Sequence, residues 1–374
     1  MIPRRTLLAT HVAGLWLSLA DGWIRPVRAE PAGPLAPWNV APRDDPRLAA
    51  LAWAVLAPNP HNRQPWLLRL VGTDTILLHV DLERRLPVTD PLDRQILIGL
   101  GCFAELLRLA AAPQGIAADI PPFPEGDPQP RLDARPIARI TLRGTATADP
   151  IFAAAATRRS AKQPYDMARD VPDAALERLR VALLTPPGFG ARNADVAAIR
   201  ELVWRAWMIE AATEAAHLES VNLMRLGTAE VSARPDGSSI WGPSFDPMVA
   251  RDELTRAAML PGQPGHGMMI GMYRAMLAST NAYVWLSTPG HSRAAQFAAG
   301  RDWLRLNLAA NLAGLALHPV SQALQEYPEM AGPRADLPAL LGATGEVQML
   351  GRLGHATRPA APTPRWPVES RILG

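Results

Sequence analysis

The chain has 374 residues, 48% hydrophobic and 20% charged, with a formal net charge of +3. Those proportions describe a folded globular protein of one large or two ordinary domains, and exclude a disordered or fibrous chain. A single cysteine, Cys102, excludes a disulfide framework and a cysteine-rich metal site; its apolar surroundings, residues 96–103, make it a small buried hydrophobe.

Taken in chain order, residues 1–29 read as an export signal. Arg4-Arg5 precedes a short, weakly apolar stretch, and Val27-Arg28-Ala29 ends on a small residue suited to cleavage before Glu30. The stretch is short and polar for a membrane span, and an uncleaved anchor is the alternative to a cleaved signal. A paired arginine ahead of such a stretch resembles a twin-arginine signal, which implies an exported, periplasmic protein that folds before transport. Pro3 before the pair and Leu7 after it depart from the consensus. Arg4, Arg5, Arg25 and Arg28 against Asp21 give this segment +3, which equals the net charge of the whole chain. The remainder is near neutral, so no basic excess exists for nucleic acid.

A Pro-rich linker (31–42) leads to a helix over 45–56 with Pro46 in its first turn. The loop Ala57-Pro58-Asn59-Pro60-His61-Asn62-Arg63-Gln64-Pro65-Trp66 follows. Residues 67–71 and 75–80 read as a strand pair around Gly72, 93–112 as a long apolar helix, and 137–142 as a strand after the Pro-rich stretch 121–130. A second part begins near Asp149. It holds helices over 150–157, 172–184 and 194–226, a Gly/Pro/Ser/Asp-rich loop or lid over 227–264, a long helix over 293–315, a strand over 346–353 and an extended tail over 359–374. The two long helices match at an offset of 199 residues: Leu107-Arg108-Leu109-Ala110-Ala111 and Gly115 answer Leu306-Asn307-Leu308-Ala309-Ala310 and Gly314. The order helix, Pro-rich loop, long helix, strand occurs twice, which predicts fused halves, 30–148 and 149–374, with an insertion at about 227–280 in the second.

Lys162 is the one lysine among 38 Lys and Arg residues. It ends the run Arg158-Arg159-Ser160-Ala161-Lys162, where two kinds of cation and a hydroxyl within five residues suit a phosphate. Other constellations carry less. His217 and Glu214 share a helical face without a third ligand, so no metal is expected. Ser238-Ser239 and His266 lack a nucleophile elbow, and Gly262-Gln263-Pro264-Gly265-His266-Gly267 lacks the Lys-Ser/Thr of a P-loop. Trp66 reads as core, Gln64 as a group that satisfies buried backbone, Arg159 as facing solvent or a carboxylate, and Met268, Met269 and Met272 as lid or core packing.

Three segments resemble the nitroreductase superfamily. Arg158-Arg159-Ser160-Ala161-Lys162 is similar to its Arg-x-Ser-x-Arg/Lys motif. Pro58-x-x-x-Asn62-x-Gln64-Pro65-Trp66 is similar to its Pro-Ser-x-x-Asn-x-Gln-Pro-Trp loop. Residues 347–355, with Arg365 in the tail, are similar to its last core strand and terminal arginine. In ordinary members the Arg-x-Ser motif comes first. Here it follows the Gln-Pro-Trp loop, an order that resembles the Acg-like branch, where one chain mimics the usual homodimer.

The resemblance implies an α+β nitroreductase-like fold, an antiparallel or mixed sheet flanked by helices, and one non-covalent FMN. Arg158, Ser160, Lys162 and Arg365 would bind the ribityl-phosphate end. Asn59, His61, Asn62 and Gln64 would approach from the first half, with Asn59 standing where the family has Ser. Pro319, Ser321 and Gln322 would form the turn against the flavin N5 edge. The implied activity is hydride or electron transfer through flavin N5 to a small electrophile of the nitroaromatic or quinone class. No separate catalytic acid or base is named. The donor would be NAD(P)H, or a membrane quinol for an exported enzyme, and the chain a monomer or weak dimer. The alternative is an exported FMN-sequestering protein with little turnover.

Overall fold

The structure is a computed structural model that describes residues 33–374; the arginine-pair segment lies outside the described residues. Asp45 caps the first helix, α1 (Pro46–Ala54), by accepting from the Arg47 amide at 2.8 Å, and Pro46 occupies its first position. Strands β1 (Trp66–Val71), β2 (Thr75–Val80), β3 (Ile116–Asp119) and β4 (Ala138–Thr145) form an antiparallel sheet in the order β1-β2-β4-β3. Between β2 and β3 runs helix α2 (Arg94–Ala111), nearly all of it buried.

The second half repeats this plan. Helices α3 (Asp173–Val181), α4 (Ala197–Ala212) and α5 (Glu214–Asn222) are followed by α6 (Gly227–Ala233), α7 (Asp246–Ala250), α8 (Pro264–Ala278), α9 (Arg293–Leu312) and α10 (Ala331–Leu341). Strands β5 (Phe189–Arg192), β8 (Ala282–Thr288), β10 (Glu346–Gly354) and β9 (Ala316–Pro319) pair antiparallel in that spatial order. Numbering each sheet's strands by chain order, both read first-second-fourth-third. In both, the long helix, α2 or α9, joins the second strand to the third.

Those helices cross at Gly101 and Gly300. A Cβ on Gly101 would lie 2.2 Å from the Phe297 carbonyl oxygen, and one on Gly300 would lie 2.1 Å from that of Ile98. Both pairs obey the offset of 199, so the contact is reciprocal, as in an isologous interface. Cys102 sits at the crossing, fully buried, its thiol 3.0 Å from the Gly300 carbonyl. One core runs through both sheets, from Leu51, Trp66 and Phe103 to Phe297, Trp303 and Leu306.

Two expectations need correction. The helix read over 194–226 breaks at Thr213, whose extended backbone (φ −78°, ψ 106°) ends α4 while its hydroxyl bonds back to the Ile209 carbonyl at 2.8 Å. Met224–Leu226 is then a strand, β6, parallel to β7 (Ser238–Ile240). The region read as loop or lid over 227–264 is also ordered. It contributes α6, β7 and α7, and packs Leu226, Phe245, Met248, Leu254 and Met259 into a small core of its own.

Candidate functional site

The loop between α1 and β1 is the most strained backbone in the described chain. His61, Asn62 and Gln64 all have positive φ, at 47°, 51° and 52°. Such conformations in non-glycine residues cost about 1–3 kcal/mol each and persist where surroundings over-determine them. Here the side chains do so. The Asn59 carbonyl accepts from the Gln64 amide (2.7 Å) while its NH2 donates to Ala57 O (3.1 Å). Asn62 donates to Pro364 O (3.1 Å) and accepts from the Arg365 guanidinium. Gln64, fully buried, donates to Pro235 O (2.6 Å) and accepts from the Trp366 amide (2.8 Å). The amides of Asn62 and Gln64 therefore hold the loop to the tail and the insertion, and that of Asn59 braces it internally.

Asp236 fastens the same loop from the insertion. Its carboxylate takes two bonds from Arg225 (3.0 and 2.7 Å) and one from Arg84 (2.8 Å), and lies 3.8 Å from Arg63. The Gly237 amide adds a bond to Asn62 O at 3.1 Å. The insertion is thus docked on the first half's loop.

Against this loop lies the Arg-Arg-Ser-x-Lys segment. Arg158 is buried, and one of its nitrogens donates to Leu56 O at 3.2 Å. Arg365, also buried, donates to Ala57 O (3.2 Å), Leu56 O (3.4 Å) and the Thr363 hydroxyl (2.5 Å). Burial, and then Arg159, push Arg158 down to about 10; burial, Arg158 and Arg159 hold Arg365 well below the usual arginine range. A guanidinium does not deprotonate in proteins at neutral pH, and among the described residues no carboxylate pairs with Arg158, Arg159, Lys162 or Arg365. Arg158 Nη1 and Arg365 Nε are buried with no acceptor. Ser160 and Lys162 have no hydrogen-bonding side-chain partner among the described residues. The Lys162 side chain reaches solvent, yet protein crowds it and the desolvation lowers its pKa, as expected of a cation lining a cleft.

Two histidines report how close Lys162 lies to both halves. His61 is pushed down to about 4 by burial, then by Lys162 and Arg63; His318, on β9, is held well below the usual range by burial, Arg352 and Lys162. Ser160 bridges Leu317 of β9, which brings the turn after Pro319 beside the segment. In that turn the Ser321 and Gln322 amides have no acceptor among the described residues, and the Ser321 hydroxyl is 3.4 Å from Gln95 Oε1. All the residues expected at the site thus come to one region, with Pro319, Ser321 and Gln322 on its β9 side.

Sequence reading missed Arg352. It is fully buried on β10 and donates to Ala161 O (2.9 Å), Gln163 O (2.6 Å) and Met276 O (2.9 Å), with Nε 3.2 Å from His318 Nδ1. It fixes the backbone that carries Lys162. Its signal was available, as the lone cation in an apolar strand. Trp66 packs in the core against Phe103, ring centroids 4.9 Å apart.

A cradle of donors with no counter-ion can hold a dianion through several charge-assisted hydrogen bonds, each worth ~1.5–3 kcal/mol. No family model matches the chain. It is 27% identical over 352 residues to "Putative NAD(P)H nitroreductase Rv3131" of Mycobacterium tuberculosis, covering 90% of this chain and 96% of that one. It is 26% identical over 345 residues to "Putative NAD(P)H nitroreductase acg" of the same organism, covering 86% and 93%. Among solved structures, a "putative nitroreductase" from Anabaena variabilis aligns over 90% of this chain and 94% of its own, at 10% identity and a TM-score of 0.41. The FMN-dependent nitroreductase NfnB from Mycobacterium smegmatis, in complex with NADPH, aligns over 55% and 90%, at 17% identity and a TM-score of 0.33. The similarity to these two curated proteins runs through nearly the whole chain.

Proposed function

We propose that the chain is an FMN-dependent oxidoreductase of nitroreductase type, built as a fused pseudo-dimer with one flavin site. The observation that carries this is a cation group without an acid among the described residues: Arg158, Arg159 and Arg365 lie within one another's field, Arg158 and Arg365 keep unpartnered buried donors, and Lys162 stands on the same run beside His61. These residues fit a phosphate dianion. Arg158, Ser160, Lys162 and Arg365 would hold it. Bound FMN would supply hydride and electron transfer, chemistry that belongs to the cofactor while the protein orients it and tunes its electronics.

The chain's own residues then do three things. Asn59, Asn62 and Gln64 keep the strained loop in place, so His61 is presented beside Lys162. Arg352, with His318 against its Nε, fixes the Lys162 backbone. The turn at Ser321 and Gln322 offers backbone donors to the flavin edge. The names of the curated relatives support NAD(P)H as the donor and a nitro compound as the acceptor, and the motif resemblance extends the acceptor class to small quinones. The arginine pair at the N-terminus supports export, where a quinol would replace the nicotinamide.

Purified protein should be yellow, with FMN absorbance, and should bleach when NADPH is added without oxygen. Lys162→Ala should lose the colour, and added FMN should not restore it. A yellow protein that NADPH, NADH and a soluble quinol all fail to bleach would favour sequestration over turnover. A colourless wild-type chain that gains no thermal stability from FMN would sink the proposal.

A further inference from the structure

Resting on the FMN reading, we infer that Trp38 is a further cofactor-binding element: it straps the phosphate end shut and so sets how fast FMN leaves. Gly33–Trp38 forms a short 3-10 segment far from the Arg158–Lys162 run in sequence. It nevertheless docks on the cradle at three points. The Pro34 carbonyl accepts from the Arg365 amide at 2.9 Å. The Trp38 indole N–H donates to Thr363 O at 2.7 Å. The Trp38 ring lies 4.1 Å from the Arg159 guanidinium carbon and 5.6 Å from that of Arg365.

Arg159 shows why the ring matters. Its other bonds go to the carbonyls of Ala156 (2.9 Å) and Arg158 (2.8 Å), so no acid holds it. Sequence alone placed it toward solvent or a carboxylate. Instead an aromatic face takes that role, as tryptophan does best for a guanidinium. A π face attracts the cation without neutralising it, so the charge remains available to an anion. A carboxylate in its place would compete with the phosphate. The segment is also pinned to Thr363 and Arg365 of the tail, so it joins the two cationic ends of the cradle, Arg159 and Arg365, across its outer side. Its removal would leave both arginines with one restraint fewer and the phosphate more open to water.

The test compares FMN with riboflavin, which lacks the phosphate, using release rates read from the recovery of free-flavin fluorescence. In full-length Trp38→Ala, FMN should leave about tenfold faster, the scale of one partly desolvated cation–π contact. Riboflavin binding should be unchanged. Trp38→Phe, which keeps a ring but loses the N–H, should recover most of the retention. A thermal melt without flavin checks the fold of each variant. FMN release at the wild-type rate from Trp38→Ala would overturn the strap, as would equal weakening of riboflavin, which would mark a purely structural role. The two readings separate cleanly. If wild type binds FMN and Lys162→Ala does not, the cradle stands and the strap is judged on Trp38 alone. If wild type binds no FMN, both fall.

Discussion

Lys162 acts on two histidines at once, and this gives the apo protein a definite pH response. His61 is pushed down to about 4 by burial, then by Lys162 and Arg63, and His318 is held well below its usual range by burial, Arg352 and Lys162. An unfolded histidine titrates near 6.5. As pH falls below that value the unfolded chain takes up protons that the folded chain refuses. Stability from these groups is therefore complete above pH ~6.5 and is lost as pH falls toward ~4. Denaturant melts at pH 7.5 and 5 should show this loss, and His61→Asn, which tolerates the positive φ, should make it smaller. Adding FMN should also reduce it, because a phosphate beside Lys162 offsets the field on His61. A pH-independent midpoint over that window would contradict the geometry. Legibility in the sequence stops at a related boundary. Arg158, Ser160 and Lys162 carry a local motif, so they could be read directly. The partners of Gln64, Pro235 O and the Trp366 amide, lie 171 and 302 residues away. A backbone-satisfying role for Gln64 is legible, but no local pattern names those partners, and none places Trp38 on Arg159.

The crossing of α2 and α9 is the element-scale counterpart of that site. At Gly101 and Gly300 the backbones meet so closely that a methyl group would collide with a carbonyl oxygen of the facing helix. In an isolated helix, Gly→Ala gains about 1 kcal/mol. Here steric overlap should reverse the sign, with a net loss of about 1–3 kcal/mol for Gly101→Ala. Gly300→Ala should cost a similar amount, because its contact is the reciprocal one. The two losses should not add, since one backbone shift relieves both. Equal or higher thermal stability in either variant would argue against the crossing. The 199-residue offset made this pair of helices legible, because a buried helix repeats its pattern over many residues. Strand β8 was not read, although Ala282–Thr288 is an apolar run; such short runs do not separate strand from buried helix by period. The break at Thr213 and the pairing of β6 with β7 depend on a hydroxyl back-bond and a distant strand, which helical periodicity does not encode.

At the scale of the whole molecule, the two halves share a strand order but not an electrostatic plan, and this bears on stoichiometry. The loop between α1 and β1 accepts from Arg158 and Arg365, with which no carboxylate pairs among the described residues. Its positional equivalent between α3 and β5 is already occupied by a carboxylate of the chain: Asp302 accepts from the Leu184 amide (2.6 Å), the Thr185 amide (3.1 Å) and the Thr185 hydroxyl. Two arginines of the helix that carries Asp302, Arg301 and Arg305, are neutralised as well. Glu105 lies 2.9 Å from Arg301 and 3.1 Å from Arg305, and Asp149 lies 2.9 Å from Arg305. A phosphate would meet free donors on one side of the molecule and satisfied ones on the other. Apo protein titrated with FMN should therefore saturate at one per chain, with a thermal shift equivalent to about 2.7 kcal/mol once free FMN reaches ~100 times Kd. Lys162→Ala should abolish binding outright, where two equal sites would leave half. Asp302→Asn should still saturate at one, because removing the acid frees two amides without supplying the Arg-x-Ser-x-Lys cradle. Two FMN per wild-type chain would show that the second loop opens, and that the internal carboxylate is a displaceable stand-in for a ligand.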